Sequence, residues 1–111
     1  LMKIVLLYFD GCPSWQQALA NVQTVIQEEN LDVTVALIEV RSDQEAIDHH
    51  FIGSPSFQVD GDELWPIKQD TYSMSCRVYK TPEGFKGWPS VEMLRDKLKE
   101  LNGSPLTTST Q

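Results

Sequence analysis

Ile4-Val5-Leu6-Leu7-Tyr8-Phe9-Asp10-Gly11-Cys12-Pro13-Ser14-Trp15 is the stretch on which the reading of this chain turns. Its first six residues are apolar and rich in branched and aromatic side chains, the composition of a buried strand, expected over residues 2–9. Asp10-Gly11 turns the chain. Pro13 suits the first turn of a helix, where its missing N–H is not needed. Trp15, Leu19, Val22 and Ile26 then recur at helical spacing, so one apolar helix face is expected to run to about Glu29, with Asn30 as its stop. Cys12 therefore stands at a strand-to-helix turn, where the free N–H groups of the helix start point. That position lowers a thiol pKa and favours the thiolate, the form that attacks disulfides and binds soft metals. A partner cysteine is expected at the position Trp15 holds, so half of a helix-start redox pair is missing.

The 111 residues suffice for one domain, expected over 2–102, with a Thr/Ser-rich tail at 103–111 expected to be disordered. A hydrophobic content of 41% can fill a core. The formal net charge of -7 argues against nucleic acid or an anionic membrane as a partner. No apolar run approaches the length of a membrane span. Ile4 to Phe9 is too short for the apolar region of a signal peptide, and Asp10-Gly11 ends it, so the expected location is the cytoplasm. Leu1 reads as a cloning remnant before a natural start at Met2. Two cysteines, Cys12 and Cys76, are too few for a disulfide scaffold. In a reducing compartment they are expected to be free, catalytic or metal-binding.

Val33 to Val40 reads as a second strand, parallel to the first and joined to it by the crossover helix. Ser42 can cap a short helix, with Glu45 completing a capping box and Ala46, Ile47 and His50 on its inner face. Gly53-Ser54-Pro55 breaks the chain before a third strand, Ser56 to Val59. Asp60-Gly61 is a strong turn signal. Residues 62–73 read as a loop, Met74 to Tyr79 as a fourth strand, and Pro82-Glu83-Gly84 with Gly87-Trp88-Pro89 as a further loop. Ser90 can cap a last helix bearing Met93, Leu94, Leu98 and Leu101 on its apolar side, stopped by Gly103-Ser104-Pro105. The order β-α-β-α-β-β-α specifies an α/β sandwich, a four-stranded mixed sheet with helices on both faces.

That order, with Cys12 after the first strand and Ser54-Pro55 opening the third, resembles the thioredoxin superfamily over roughly residues 2–101. The run Tyr8-Phe9-Asp10-Gly11-Cys12-Pro13, followed far downstream by Ser75-Cys76-Arg77, is similar to a group of small thioredoxin-like proteins. The resemblance implies that Cys12 is the nucleophile and Pro55 the cis-proline. Ser54 would be the residue whose backbone pairs with a bound peptide or glutathione. Pro13, Ser14, Trp15 and Trp88 would complete the substrate-facing set. With Trp15 in place of a cysteine, the chemistry would be monothiol or would recruit Cys76.

The expected function is a monothiol thiol–disulfide oxidoreductase acting on a protein disulfide or a glutathione mixed disulfide, with glutathione as co-substrate and no resident cofactor or metal. The alternative is a non-catalytic thioredoxin-fold module that binds a soft metal or a protein partner. Cys12 could be an inert remnant. Cys76, early in the fourth strand, is expected far from Cys12 as a small buried residue, beyond the roughly 7 Å a disulfide allows between Cα atoms. The long loop 62–73 could instead fold up and carry it to the active end as a resolving or co-ligating sulfur. Ser14 could steady the thiolate or be a plain helix-start serine. His49 and His50 read as polar residues at a helix end, Trp65 as a core or rim residue, and Trp88 as packing or a groove wall. Arg77 reads as a weak surface pair and the acidic runs as solvated surface. The oligomeric state is left open.

Overall fold

The computed structural model describes residues 2–101. The expectations about Leu1, the Gly103-Ser104-Pro105 stop and the tail at 103–111 lie outside the described residues. In chain order the elements are β1 (Met2–Tyr8), α1 (Ser14–Glu28), β2 (Val33–Glu39), α2 (Asp43–Asp48), β3 (Ser56–Val59), β4 (Asp62–Glu63), β5 (Tyr79–Thr81), β6 (Gly84–Lys86) and α3 (Val91–Leu101). β1 lies inside the main sheet, whose order is β2-β1-β3-β4. It pairs in parallel with β2, from Met2 opposite Val33 to Tyr8 opposite Glu39, and antiparallel with β3. Paired on both sides and covered on both faces, β1 is apolar from Ile4 onward because successive side chains enter opposite cores, while Lys3 near its start is exposed. Ile4 and Leu6 join Phe57, Val59 and the buried faces of α1 and α3. Leu7, with Val5 packed alongside, meets Val40, Ala46 and Phe51 on the face that α2 covers. The mixed α/β sheet with helices on both faces is thus as expected.

The buried stripe of α1 is rotated from the expected one. Ala18, Asn21, Val22 and Val25 are buried, and Trp15, Leu19 and Ile26 flank them. α1 is wedged between the sheet and α3, so its inner face is wider than one row of large apolar residues. The polar Asn21 belongs to it because its Nδ2 donates to the carbonyl of Pro89 at 2.9 Å, tying α1 to the approach to α3. In α2 the Ser42 hydroxyl accepts from Glu45 N–H at 3.1 Å, as the capping box requires. The Glu45 carboxylate reaches back to Arg41 N–H rather than to the cap residue itself. Only Ala46 of this helix is buried; Ile47 and His50 face outward, against expectation, because six residues make too short a helix for a second inner position. On α3 the inner residues are Leu94 and Leu98, while Leu101 is exposed. Ser90 caps it, its hydroxyl accepting from Met93 N–H.

The larger correction concerns the fourth strand. Met74 to Tyr79 does not pair with β3. That place is taken by Asp62–Glu63, which follows β3 through a two-residue turn. Asp60 (φ 53°) and Gly61 (φ 91°) both adopt left-handed backbone, the requirement of the tight hairpin turn that matches strand twist. A hairpin closed so locally forms with little loop entropy and leaves the later segment nothing to pair with there. Residues 64–78 instead run irregularly back to the start of β3. The expected loop at 82–84 becomes the tip of a separate small hairpin, β5–β6.

Candidate redox site

Cys12 is placed by the turn that joins β1 to α1. Its N–H donates to Phe9 carbonyl at 2.9 Å, closing the bend at Asp10-Gly11. α1 follows with Pro13 at its cap, no side-chain cap bond and no acidic residue in its first turn. The partial positive charge of the helix start, which no acidic side chain of that first turn offsets, lies next to Cys12. Cys12 itself is 4% exposed.

Cys76 is not remote. It forms a disulfide with Cys12 across 64 residues of sequence, with Cα atoms 6.1 Å apart, inside the range such a bond permits. The expectation of distance assumed a fourth strand running outward and back. The return of residues 64–75 to this end removes that assumption, and the alternative of a folded-up loop is the one observed. Cys76 is exposed rather than a buried core residue.

Ser54 connects the two cysteine-bearing segments. Its hydroxyl accepts from Phe9 N–H at 2.9 Å, three residues before Cys12. Its own N–H donates to Ser75 carbonyl at 2.7 Å, and its carbonyl accepts from Arg77 N–H at 3.0 Å. Ser54 and Cys76 thus form an isolated parallel bridge. The Ser54–Pro55 peptide bond is cis. The backbone that the resemblance reserves for a bound peptide or glutathione is engaged by the chain's own Ser75 and Arg77.

Two residues not singled out as site residues in the sequence make this crossing possible. Gly53 has φ +125°, and a Cβ there would stand 2.8 Å from Arg77 Cβ, so only glycine admits the segment at this separation. Tyr79 is buried, and its hydroxyl donates to Pro55 carbonyl at 2.6 Å. Burial pushes that hydroxyl far above its usual pKa, so it remains a donor throughout the stable pH range. Tyr79→Phe leaves the carbonyl unpaired in the interior and is expected to lower unfolding free energy by about 1–3 kcal/mol in urea titrations.

Arg77 was expected at the surface. It is 8% exposed, its guanidinium carbon 4.1 Å from the Tyr79 ring centre, with Nη2 donating to Trp65 carbonyl at 3.2 Å. Its Nε and Nη1 have no partner among the described residues. Trp65 is half-buried and packs edge-on to Phe57 and Tyr79, the core-side of the two roles expected of it. Burial raises the Glu63 carboxyl above its ordinary value of 4.5, while the Gln58 amide and the charge of Arg77 pull it back. The folded state therefore favours protonated Glu63. That contribution is complete below pH 4.5 and is lost as pH rises through the raised folded-state value. Glu63→Gln should accordingly gain on the wild type as pH rises from acid to neutral. Urea unfolding at both pH values checks this, and a pH-independent difference would contradict it.

The remaining expected site residues are placed as follows. Pro13 is exposed at the helix cap. Ser14 is half-buried against Gly87, where any Cβ would collide with its hydroxyl. Trp15 stacks on Tyr8, ring centres 4.3 Å apart. Trp88 is half-buried against the larger core, and with Asn21, Thr81 and Ser90 it lines a shallow groove. His50 is tilted against Tyr72 at 5.2 Å, and no cluster of three or more metal-ligating side chains occurs among the described residues. Among the described residues no helix is long and apolar enough to cross a membrane. No known protein family and no curated protein matches this chain.

Proposed function

We propose that this chain is a thiol–disulfide oxidoreductase of thioredoxin-like architecture whose working pair is Cys12 and Cys76. One observation carries the reading: the disulfide joins a cysteine at a helix start whose first turn holds no acidic residue to an exposed cysteine outside the named strands. The helix start stabilises the thiolate of Cys12 and so favours the reduced form, which is what makes a disulfide oxidising and exchangeable. The segment bearing Cys76 is held by the two backbone bonds to Ser54 and by Met74 N–H donating to the exposed Asp43 carboxylate.

In a full cycle the pair accepts two electrons. Two thiols of a dithiol donor, or two glutathione molecules, are oxidised to a disulfide, and Cys12 and Cys76 become thiols. The reverse direction reduces a protein disulfide or a glutathione mixed disulfide. We place the chain in the cytoplasm, where thiols are kept reduced and a disulfide is usually a transient, catalytic or sensing one.

The test is turnover of a protein disulfide and of a glutathione mixed disulfide by the wild type, Cys12→Ser and Cys76→Ser. The wild type is expected to turn over and both variants to fall to the uncatalysed rate. Activity retained in Cys76→Ser would return the monothiol mechanism, in which an external thiol releases the product. An inactive wild type would remove the reading. The reduced pair also offers two sulfurs to a soft cation, which equilibrium dialysis with copper(I) measures separately.

A further inference from the structure

Disulfide exchange at this site has two directions of attack, and the two sulfurs are not equivalent. We propose that Cys76 is the sulfur that receives the incoming thiol, and that Cys12 is the leaving and resolving group. This rests on the pair being exchangeable, as proposed above, and it reverses the role that the sequence resemblance assigns to Cys12.

Three features of the structure point the same way. A thiolate must approach a disulfide sulfur along the extension of the S–S bond, from the side opposite the sulfur it displaces. For attack at Cys12 that approach starts from the Cys12 side, and Cys12, within the β1–α1 turn, is only 4% exposed. For attack at Cys76 it starts from an exposed residue. Next, the group displaced leaves faster the lower its thiol pKa. Displacement of Cys12 puts the new negative charge beside the helix start, whereas displacement of Cys76 puts it on a solvent-exposed residue outside any helix start. Finally, Ser54 holds the backbone on both sides of Cys76 through Ser75 carbonyl and Arg77 N–H. These bonds do not involve the sulfur, so Cys76 keeps its place after the S–S bond opens, and the Cys12 thiolate remains within reach to re-form the internal bond in the other direction.

The step balances as follows. The thiolate of the donor forms a bond to Cys76 Sγ as the Cys76–Cys12 bond breaks. The electron pair of that bond goes to Cys12 Sγ, which leaves as a thiolate. A second donor thiolate then attacks the donor sulfur of the mixed disulfide, releasing Cys76 and an oxidised donor. In the other direction the Cys76 thiolate attacks a substrate disulfide, and Cys12 attacks Cys76 Sγ to release the reduced substrate and restore the internal bond.

The experiment uses the oxidised wild-type chain and glutathione. Glutathione is added well below one equivalent, so that a second molecule does not remove the adduct. The mixture is quenched with acid at early times, free thiols are alkylated with N-ethylmaleimide, and the adducts are located by peptide mapping. Glutathione on Cys76 with N-ethylmaleimide on Cys12 is expected in about tenfold or greater excess over the reverse pattern. Equal amounts, or glutathione on Cys12, would overturn the assignment while leaving the exchange reaction standing. Absence of any adduct, with the disulfide still intact at a glutathione excess, would overturn the exchange reaction and the assignment with it.

Discussion

Cys76→Ser should unfold at a free energy about 4 kcal/mol below that of the oxidised wild type. The loss is one of chain entropy. The bond closes a loop spanning 64 residues of sequence, well over half the described chain. Tying its ends removes many conformations from the unfolded chain and few from the folded one. Cys76 is exposed and lies outside the regular strands, so its removal deletes little packing from the native state. Most of the loss should therefore appear as a shift in midpoint with the folded structure preserved. For a domain of this size the melting temperature should fall by about 20 °C. Calorimetry of the oxidised wild type, the reduced wild type and the variant checks this. The reduced wild type should match the variant closely, since both lack only the tether. A variant as stable as the oxidised wild type would mean that the unfolded chain is already compact around this pair.

Gly53→Ala should both destabilise the chain and loosen the disulfide. Two costs combine at this position. An alanine at φ +125° is strained by about 1–3 kcal/mol. In addition, its Cβ would press on Arg77 Cβ at 2.8 Å and on Arg77 N at 3.3 Å, so the segment that carries Cys76 must back away from Ser54. The bonds from Ser54 to Ser75 and Arg77 lengthen as a result. Reduction by dithiothreitol should become several-fold faster than in the wild type, because the backbone no longer holds Cys76 in register. Gly61→Ala is the matched control. Its φ of +91° imposes a similar backbone cost, but nothing lies within 4 Å of a Cβ there. It should lose stability without a change in reduction rate. Equal reduction rates in the two variants would show that the crossing at Ser54 does not govern access to the sulfur bond.

These positions also mark what the sequence could disclose. β1, β2, β3 and the three helices were legible because each is announced by a local signal. An apolar run marks β1, alternation marks β2, and the Gly53-Ser54-Pro55 break and the Asp60-Gly61 turn bracket β3, while Ser42 and Ser90 mark caps. The same turn signal held the correction to the fourth strand. A two-residue turn after β3 calls for an immediate partner strand, and Asp62–Glu63 is that partner despite its poor strand composition. Reading 62–73 as loop left the place beside β3 open for Met74 to Tyr79, and Cys76 was carried away with them. Its true position depends on a parallel bridge to Ser54 and on the close approach at Gly53, contacts between residues more than twenty positions apart. No local pattern encodes such contacts.

Arg77 was hidden for a related reason. A charged residue between exposed neighbours reads as surface, whereas here Tyr79, Trp65 and the Ser54 crossing enclose it. Asn21 was passed over because the apolar pattern of α1 does not count a polar residue that finds a buried carbonyl. Cys12 could be placed at the helix start from sequence alone because the strand, turn and proline around it fix that geometry within a few residues.

The redox potential of the Cys12–Cys76 pair tests the central claim most directly. Two effects oppose each other in setting it. Loop closure and the native bonds at Ser54 favour the disulfide, while the helix start beside Cys12 favours the thiolate. The wild-type chain would be equilibrated in glutathione or dithiothreitol buffers of graded poise, with thiols alkylated and counted by mass. A single two-electron transition between about −180 and −300 mV is predicted, in the range of exchanging proteins. A potential clearly below about −300 mV would make the bond a structural staple and contradict the account.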